Sequence, residues 1–234
     1  MIPVAILAGG LATRLRPITE TIPKSLIEIA GKPFICHQLE YLCAQGVEHV
    51  VLCVGYLGEM IEAIVGSGSE FGLSVRYSPD GPELLGTGGA LKQALPMLAE
   101  NFFVLYGDSF LPIRFEPVEQ EFFSAKKPAL MTVLKNGNQW DKSNVDYREG
   151  VLVEYNKHEP RPEMSFIDYG LGVLSASTLG SYPIGQAFDL AEIYHSLSIE
   201  GQLAGYEVYE RFYEIGSHSG IKETENYILH RGKL

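Results

Sequence analysis

Hydrophobic positions in the first hundred residues alternate between short continuous runs and regularly spaced stripes. Ile2 to Leu7 is an apolar run that stops at Gly9-Gly10, the form expected of a strand buried on both faces of a parallel sheet. After Pro33, suited to the start of a helix, Ile35, Leu39, Leu42 and Cys43 fall on one helical face. His49 to Val54 predicts a second strand, and Leu57, Ile61, Ile64 and Val65 trace a second amphipathic helix. A strand follows at Leu73 to Tyr77. A glycine-rich loop then leads to a helix over Gly89 to Leu98, with Leu91, Ala94, Leu95 and Leu98 at helical spacing. Phe102 to Tyr106 is a further strand, ending in Gly107-Asp108. This order predicts an α/β fold with a mostly parallel sheet and right-handed crossovers.

The second half is less regular. Leu130 to Leu134, Val151 to Tyr155, Phe166 to Leu174 and Leu203 to Tyr209 read as strands between loops rich in Asn, Gly and Pro. Asp189 with Glu192 three residues on matches a capping box for a helix to about Ile199. A last helix begins near Ser217 or Ser219. With no linker, low-complexity tract or internal repeat, the pattern predicts one domain over 1–234, its second half folded over the first.

Composition narrows the function. The 234 residues are 46% hydrophobic, enough for a substantial core. No apolar run approaches the ~20 residues of a membrane span, and the start MIPVAILAGG lacks the positive flank of a signal peptide. Cys36, Cys43 and Cys53 are too few and odd in number for a disulfide framework. These features predict a soluble cytoplasmic protein with buried thiols. The net charge of −11 argues against nucleic-acid or anionic-membrane binding. Residues 1 to 32 nevertheless carry Arg14, Arg16, Lys24 and Lys32 against Glu20 and Glu28, leaving +2 there and −13 elsewhere. That local positive spot predicts a small anionic ligand.

Gly9-Gly10 and Asp108 both follow strand ends, where parallel sheets bind their ligands. Glycines after a strand let backbone N–H groups approach phosphate oxygens. The loop is neither G-x-x-x-x-G-K-[ST] nor G-x-G-x-x-G, and Pro17 argues against a helix directly after the glycines. Taken singly, Gly9-Gly10 reads equally as a tight turn beside solvated arginines, and Asp108 as a turn or cap residue.

The longer string L-A-G-G-x-x-T-R-L-x-P-x-T followed by P-K, carried by Leu7, Ala8, Gly9, Gly10, Thr13, Arg14, Leu15, Pro17, Thr19, Pro23 and Lys24, resembles the opening motif of the sugar-1-phosphate nucleotidyltransferases. Leu85 to Ala90 (L-G-T-G-G-A) resembles the family's second glycine loop, Val104 to Asp108 its strand ending in a metal-binding aspartate, and Tyr213 to His218 its late metal-binding segment. Pro33-Phe34, the L-G-T-G-G-A loop and the compact length are closest to the short manno-heptose 1-phosphate guanylyltransferase type. The chain departs from the pattern at Ala12 and Ser25, where glycine and proline are usual, at Glu214, where aspartate is usual, and at Asp168-Tyr169-Gly170, which replaces an asparagine-containing turn.

The resemblance implies a Rossmann-like mixed sheet with a smaller sugar-binding β subregion, residues 1–110 serving the nucleotide and 111–234 the sugar phosphate. It implies that an NTP, GTP favoured, and a heptose or hexose 1-phosphate give an NDP-sugar and pyrophosphate. Leu7, Gly9, Gly10, Thr13 and Gly88 are then nucleotide contacts; Arg14 holds the triphosphate; Lys24 and Lys157 hold the sugar phosphate. Asn144, Asp168 and Gly170 meet the sugar, and Asp108 with Glu214 binds Mg2+. A homo-oligomer is compatible with this reading. Two other functions share the residues: a nucleotide-sugar-binding regulatory relative without turnover, suggested by Glu214, and a cytidylyltransferase for phosphocholine-like alcohol phosphates.

Overall fold

The computed structural model describes residues 1–231. The first half runs β1 (Val4–Leu7), a small clasp of β2 (Glu28–Ile29) and β3 (Lys32–Pro33), α1 (Phe34–Ala44), β4 (His49–Val54), α2 (Gly58–Val65), β5 (Ser74–Pro79), α3 (Gly86–Ala94) and β6 (Asn101–Tyr106). It continues through β7 (Ser109–Phe110), α4 (Phe115–Ala125), β8 (Ala129–Lys135), β9 (Val145–Arg148), β10 (Val151–Tyr155) and β11 (Phe166–Ser175). The chain then forms α5 (Leu190–Ile199), β12 (Leu203–Val208), β13 (Tyr213–Glu214) and α6 (His218–His230).

β1 lies between β4 and β6, parallel to both, and β5 adds parallel to β4. The parallel run ends at β6, where β11 pairs antiparallel and opens the mixed half of the sheet. On one side β11 pairs with β8, which in turn carries β12 in parallel. On its other side β11 pairs with β6 through Leu171–Ser175 and with β9 only at Phe166. Residues 167–170 therefore face a gap between β6 and β9. The β8 register also shifts between Asp168 and Gly172, with Gly170 at φ +102°. That bulge re-aims Asp168 into the gap, the usual effect of an unpaired residue in a strand.

Both faces of the sheet are covered. Ile35 and Leu39 of α1, Ile61 and Val65 of α2, and Phe115, Val118 and Phe122 of α4 pack with Val4 and Ile6 on one face. Leu91 and Ala94 of α3 and Leu190, Ile193 and Tyr194 of α5 pack with Ala5 on the other. The alternation within β1 is the two-residue period of a strand buried on both sides.

Several predicted boundaries shift for identifiable reasons. The α3 helix starts at Gly86 rather than Gly89: Gly88 and Gly89 both donate to the Phe188 carbonyl, so the glycine loop itself forms the first turn. β5 extends to Pro79, which places Asp80 at the carboxyl end of the sheet. Ile64, expected on the buried stripe of α2, is 45% exposed, because Ile61 and Val65 alone reach the core. The α4 helix has no counterpart in the sequence reading; Pro117 sits in its first turn, where its missing N–H is tolerated. The cysteines are free, and burial pushes the Cys53 thiol up to about 12, as expected of packing residues.

A third cluster, Leu15, Ile27, Ile29, Phe34, Phe110, Ile215 and Ile228, ties the loop after β1 to α1, β7 and α6. Leu15 is fully buried in it while Arg14 and Arg16 on either side are exposed. The Leu15→Ala variant is expected to lose about 2–5 kcal/mol of stability, read as a fall in the urea midpoint without change of slope.

Candidate active site

The carboxyl ends of β1, β4, β5 and β6 surround a first cleft of roughly 230 Å³. Every residue lining it comes from the first 108 positions. Leu7, Gly9, Gly10, Lys24 and Asp108 are among them. A second cleft of roughly 630 Å³ opens over the gap beside β11 and contains Arg14, Asn144, Lys157, Asp168, Gly170 and Glu214. Tyr106 and Asp108 line both clefts. The two cavities meet at the end of β6.

The first cleft is built for an anion by its backbone. Of the residues lining it, Gly9, Gly10 and Ala12 have backbone N–H groups that donate to no described residue, the kind of unpaired donors that make anion-binding nests. A Cβ on Gly9 would lie 3.0 Å from the Gly55 nitrogen, so the glycine lets the loop pass close to the Gly55 backbone. Ala12, where the resemblance expects glycine, takes a left-handed φ of 48°; its carbonyl accepts from Thr19 Oγ1 at 2.9 Å and from Leu15 N at 3.1 Å. At the start of α3, Phe188 and Asp80 take the N–H groups of Leu85, Gly88 and Gly89, while Gly86 and Thr87 line the cleft.

Other predicted nucleotide contacts lie elsewhere. Thr13 is exposed and lines neither cleft. Gly88 also lies outside the cleft lining: a Cβ there would sit 2.2 Å from the Phe188 ring, so this glycine serves the packing of α3. Arg14 lies on the second-cleft side, where a Cβ on Gly216 would come within 3.4 Å of its Nη2.

At the junction, Lys24 Nζ sits 2.7 Å from Asp108 Oδ2, and Ser109 Oγ donates to Asp108 Oδ1 at 3.2 Å. Glu214 is the partner of Ser109 in the β7–β13 ladder, and Ile215 N donates to the Asp108 carbonyl at 2.9 Å. The Glu214 carboxylate accepts from Gly216 N at 2.9 Å and Ser217 Oγ at 3.4 Å. Asp108, in the turn before β7, and Glu214, on β13, thus both line the second cleft with hard oxygen donors. This set fits Mg2+, which binds through one or two carboxylates plus substrate phosphates. Among the described residues no group of three or more His, Cys, Asp or Glu side chains forms a self-sufficient metal cage.

In the second cleft, Asn144 Oδ1 accepts from the Asp168 N–H at 3.0 Å, and the Asp168 carboxylate accepts from Gly170 N at 2.9 Å. Asn144 therefore fixes the bulge that presents Asp168. Lys157 Nζ lies 2.7 Å from Asp189 Oδ2. Asp189 caps α5 through Ala191 N, and its Oδ1 accepts from Thr87 Oγ1 at 2.8 Å. This chain of contacts joins the second cleft to the first. Trp140, Phe212 and Arg211 form the far rim, with the guanidinium 5.3 Å from the indole centroid and held by Glu223 at 2.7 Å.

Sequence reasoning did not single out Asp80, Thr87, Trp140 or Arg211, and it read Asp189 only as a cap. Asp80 was open to discovery by the strand-end rule that found Gly9 and Asp108, once β5 is carried to Pro79.

Burial raises the Asp168 carboxyl from 3.8 to about 6, against the Gly170 N–H and the Lys157 charge, which lower it. The folded state thus holds this proton more tightly than the unfolded chain, and ionised Asp168 costs stability above pH 6. The Asp168→Asn variant is expected to exceed the wild type by on the order of 2 kcal/mol at pH 8. That gain shrinks as pH falls through 6 and is absent below about 4, as paired urea unfolding at pH 8 and pH 4 would measure.

Comparison with known proteins places these features in a family. Residues 4–144 match the family model described as nucleotidyl transferase. The chain is 32% identical over 218 residues to the mannose-1-phosphate guanylyltransferase catalytic subunit beta of Xenopus tropicalis, covering 90% of this chain and 60% of that protein. It is 32% identical over 189 residues to the D-glycero-alpha-D-manno-heptose 1-phosphate guanylyltransferase of Campylobacter jejuni, covering 80% of this chain and 82% of that one. The fold matches the crystal structure of HddC from Yersinia pseudotuberculosis complexed with GMP-PN at a TM-score of 0.79 and 24% identity, over 97% of this chain and 100% of that chain. The chain belongs to the nucleotidyl transferase family.

Proposed function

We propose that the protein transfers a nucleotidyl group from an NTP, GTP by preference, to a mannose- or heptose-type sugar 1-phosphate, releasing pyrophosphate. The observation that carries this reading is the meeting of the two clefts at Asp108, one with a loop of free backbone donors and one with polar groups on a bulged strand. Its similarity to two guanylyltransferases supports the base and the sugar class. The division of labour follows: residues 1–110 serve the nucleotide and residues 111–234 the sugar phosphate.

In the reaction a phosphate oxygen of the sugar 1-phosphate forms a bond to the α-phosphorus. The bond from that phosphorus to the bridging oxygen breaks, and pyrophosphate leaves with the electron pair. The nucleophile is already an anion, so no general base is required. Catalysis rests on positioning and on stabilising charge at the α-phosphate. Gly9 and Gly10 let the triphosphate approach the backbone amides, and Arg14 presents a planar donor fork across the junction. Lys24 and Lys157 exchange their carboxylate partners for the sugar phosphate. Asn144 and Gly170 hold the bulge, and Asp168 accepts from a sugar hydroxyl. Mg2+ held by Asp108 and Glu214 would screen the charge gathering on the phosphates.

Among the described residues no helix is long and apolar enough to cross a membrane, and we place the protein in the cytoplasm, where phosphorylated sugars and nucleotides are available. The test is a matrix of four NTPs against mannose, heptose and glucose 1-phosphates, read by Mg2+-dependent pyrophosphate release. Turnover is expected with GTP and a manno-configured acceptor. The Arg14→Ala variant should lose about 100-fold or more in kcat with an unchanged melting temperature, since the side chain is exposed. Absence of pyrophosphate from every pair would overturn the enzyme reading.

A further inference from the structure

Helix α1 carries Gln38, which is 2% exposed and lines neither the first nor the second cleft. Its Nε2 donates to the Tyr106 carbonyl at 3.0 Å and to the Ser109 carbonyl at 2.7 Å. Both neighbours are acceptors, which fixes the amide nitrogen as the end that faces them. Oε1 is buried with no hydrogen-bond partner among the described residues. A buried acceptor left unpaired costs free energy, so the amide contributes through its two donors.

Those donors bracket Gly107-Asp108. Tyr106 closes β6 and Ser109 opens β7, so one side chain holds both ends of the turn that carries Asp108. Backbone bonds hold the same turn from two other sides: Gly107 N donates to the Leu7 carbonyl and Ile215 N to the Asp108 carbonyl, each at 2.9 Å. The Asp108 carboxylate itself meets only Lys24 Nζ and Ser109 Oγ among the described residues. Lysine is a flexible partner, so the direction of this carboxylate is set by the backbone beneath it. Ser109 is also the register partner of Glu214 in the β7–β13 ladder. The grip of Gln38 therefore extends to both carboxylates of the proposed Mg2+ set.

We infer that Gln38 is a positioning residue for Mg2+ binding: by holding the Tyr106 and Ser109 carbonyls it aims Asp108, and through β7 it places Glu214. This rests on the proposed roles of those two carboxylates. Gln38 touches neither substrate in that reading, and its effect passes entirely through the turn.

The test compares the full-length wild type with Gln38→Met, which keeps the length of the side chain but removes both donors. With GTP present and no sugar phosphate, Mn2+ binding read by electron paramagnetic resonance is expected to weaken by roughly 10- to 100-fold. The Mg2+ concentration that half-saturates pyrophosphate release should rise by a similar factor, with kcat recovering toward wild type at saturating Mg2+. GTP binding in EDTA should be unchanged, because Gln38 lines neither cleft. A structural role alone would lower the melting temperature and the active fraction while leaving metal affinity as it was. A folded Gln38→Met protein with wild-type Mn2+ affinity would therefore overturn the inference, as would a wild type that binds no Mn2+. If Gln38→Met does not fold, as read by its thermal melt, Gln38→Asn, an amide one methylene too short to span both carbonyls, decides by the same Mn2+ readout. Weaker Mn2+ binding by the variant, with no pyrophosphate release by the wild type, would sink the enzyme reading and leave the role of Gln38 standing.

Discussion

The site depends on the parallel pairing of β1 with β6. Leu7 and Tyr106 are register partners at the carboxyl ends of these strands, and the next residues cross within van der Waals contact: Gly107 N donates to the Leu7 carbonyl at 2.9 Å. A Cβ on Gly107 would lie 2.8 Å from the same carbonyl oxygen and 3.0 Å from Ala8 Cβ. That closeness brings a loop of backbone donors after β1 and a carboxylate after β6 to one point, although a hundred residues separate them. Loss of the pairing would separate the groups that must act together, whatever their individual chemistry.

Around that point the charges are already paired. Lys24 is held by Asp108 and Lys157 by Asp189, whereas no described carboxylate lies within ion-pair distance of Arg14. A lysine resting on a carboxylate has a restricted position before any phosphate arrives. In the proposed reaction, binding would exchange one anion for another instead of ordering a free side chain, which reduces the entropic cost of association.

Much of the parallel half was legible because its strands are buried on both faces and read as continuous apolar runs. Val4 to Leu7, His49 to Val54 and Asn101 to Tyr106 lie within a residue or two of the predicted spans. The antiparallel half was harder. β9 holds only Val145 to Arg148, and β11 bends at a bulge that no periodicity announces. For the site, residue type and strand-end position were informative, but orientation was not. Gly88 and Gly86 look alike in sequence and both pack against Phe188, yet only Gly86 lines the cleft. Asp189 satisfied the capping pattern and so its bonds to Lys157 and Thr87, which span 32 and 102 residues, stayed invisible.

Those two bonds also connect the clefts. Thr87 Oγ1 donates to Asp189 Oδ1 and accepts from Leu190 N at 2.8 Å, so the first turn of α3 and the start of α5 are bound together. Lys157 joins them from the end of β10. Thr87 lines the first cleft and Lys157 the second. In the proposed reaction, a phosphate that took Lys157 would leave Asp189 with Ala191 N and Thr87, so the cap would survive with its charge less well compensated. The two clefts are therefore linked through a carboxylate that lines neither of them. The sheet alone could not provide this link, since β10 and α3 belong to opposite halves of the chain.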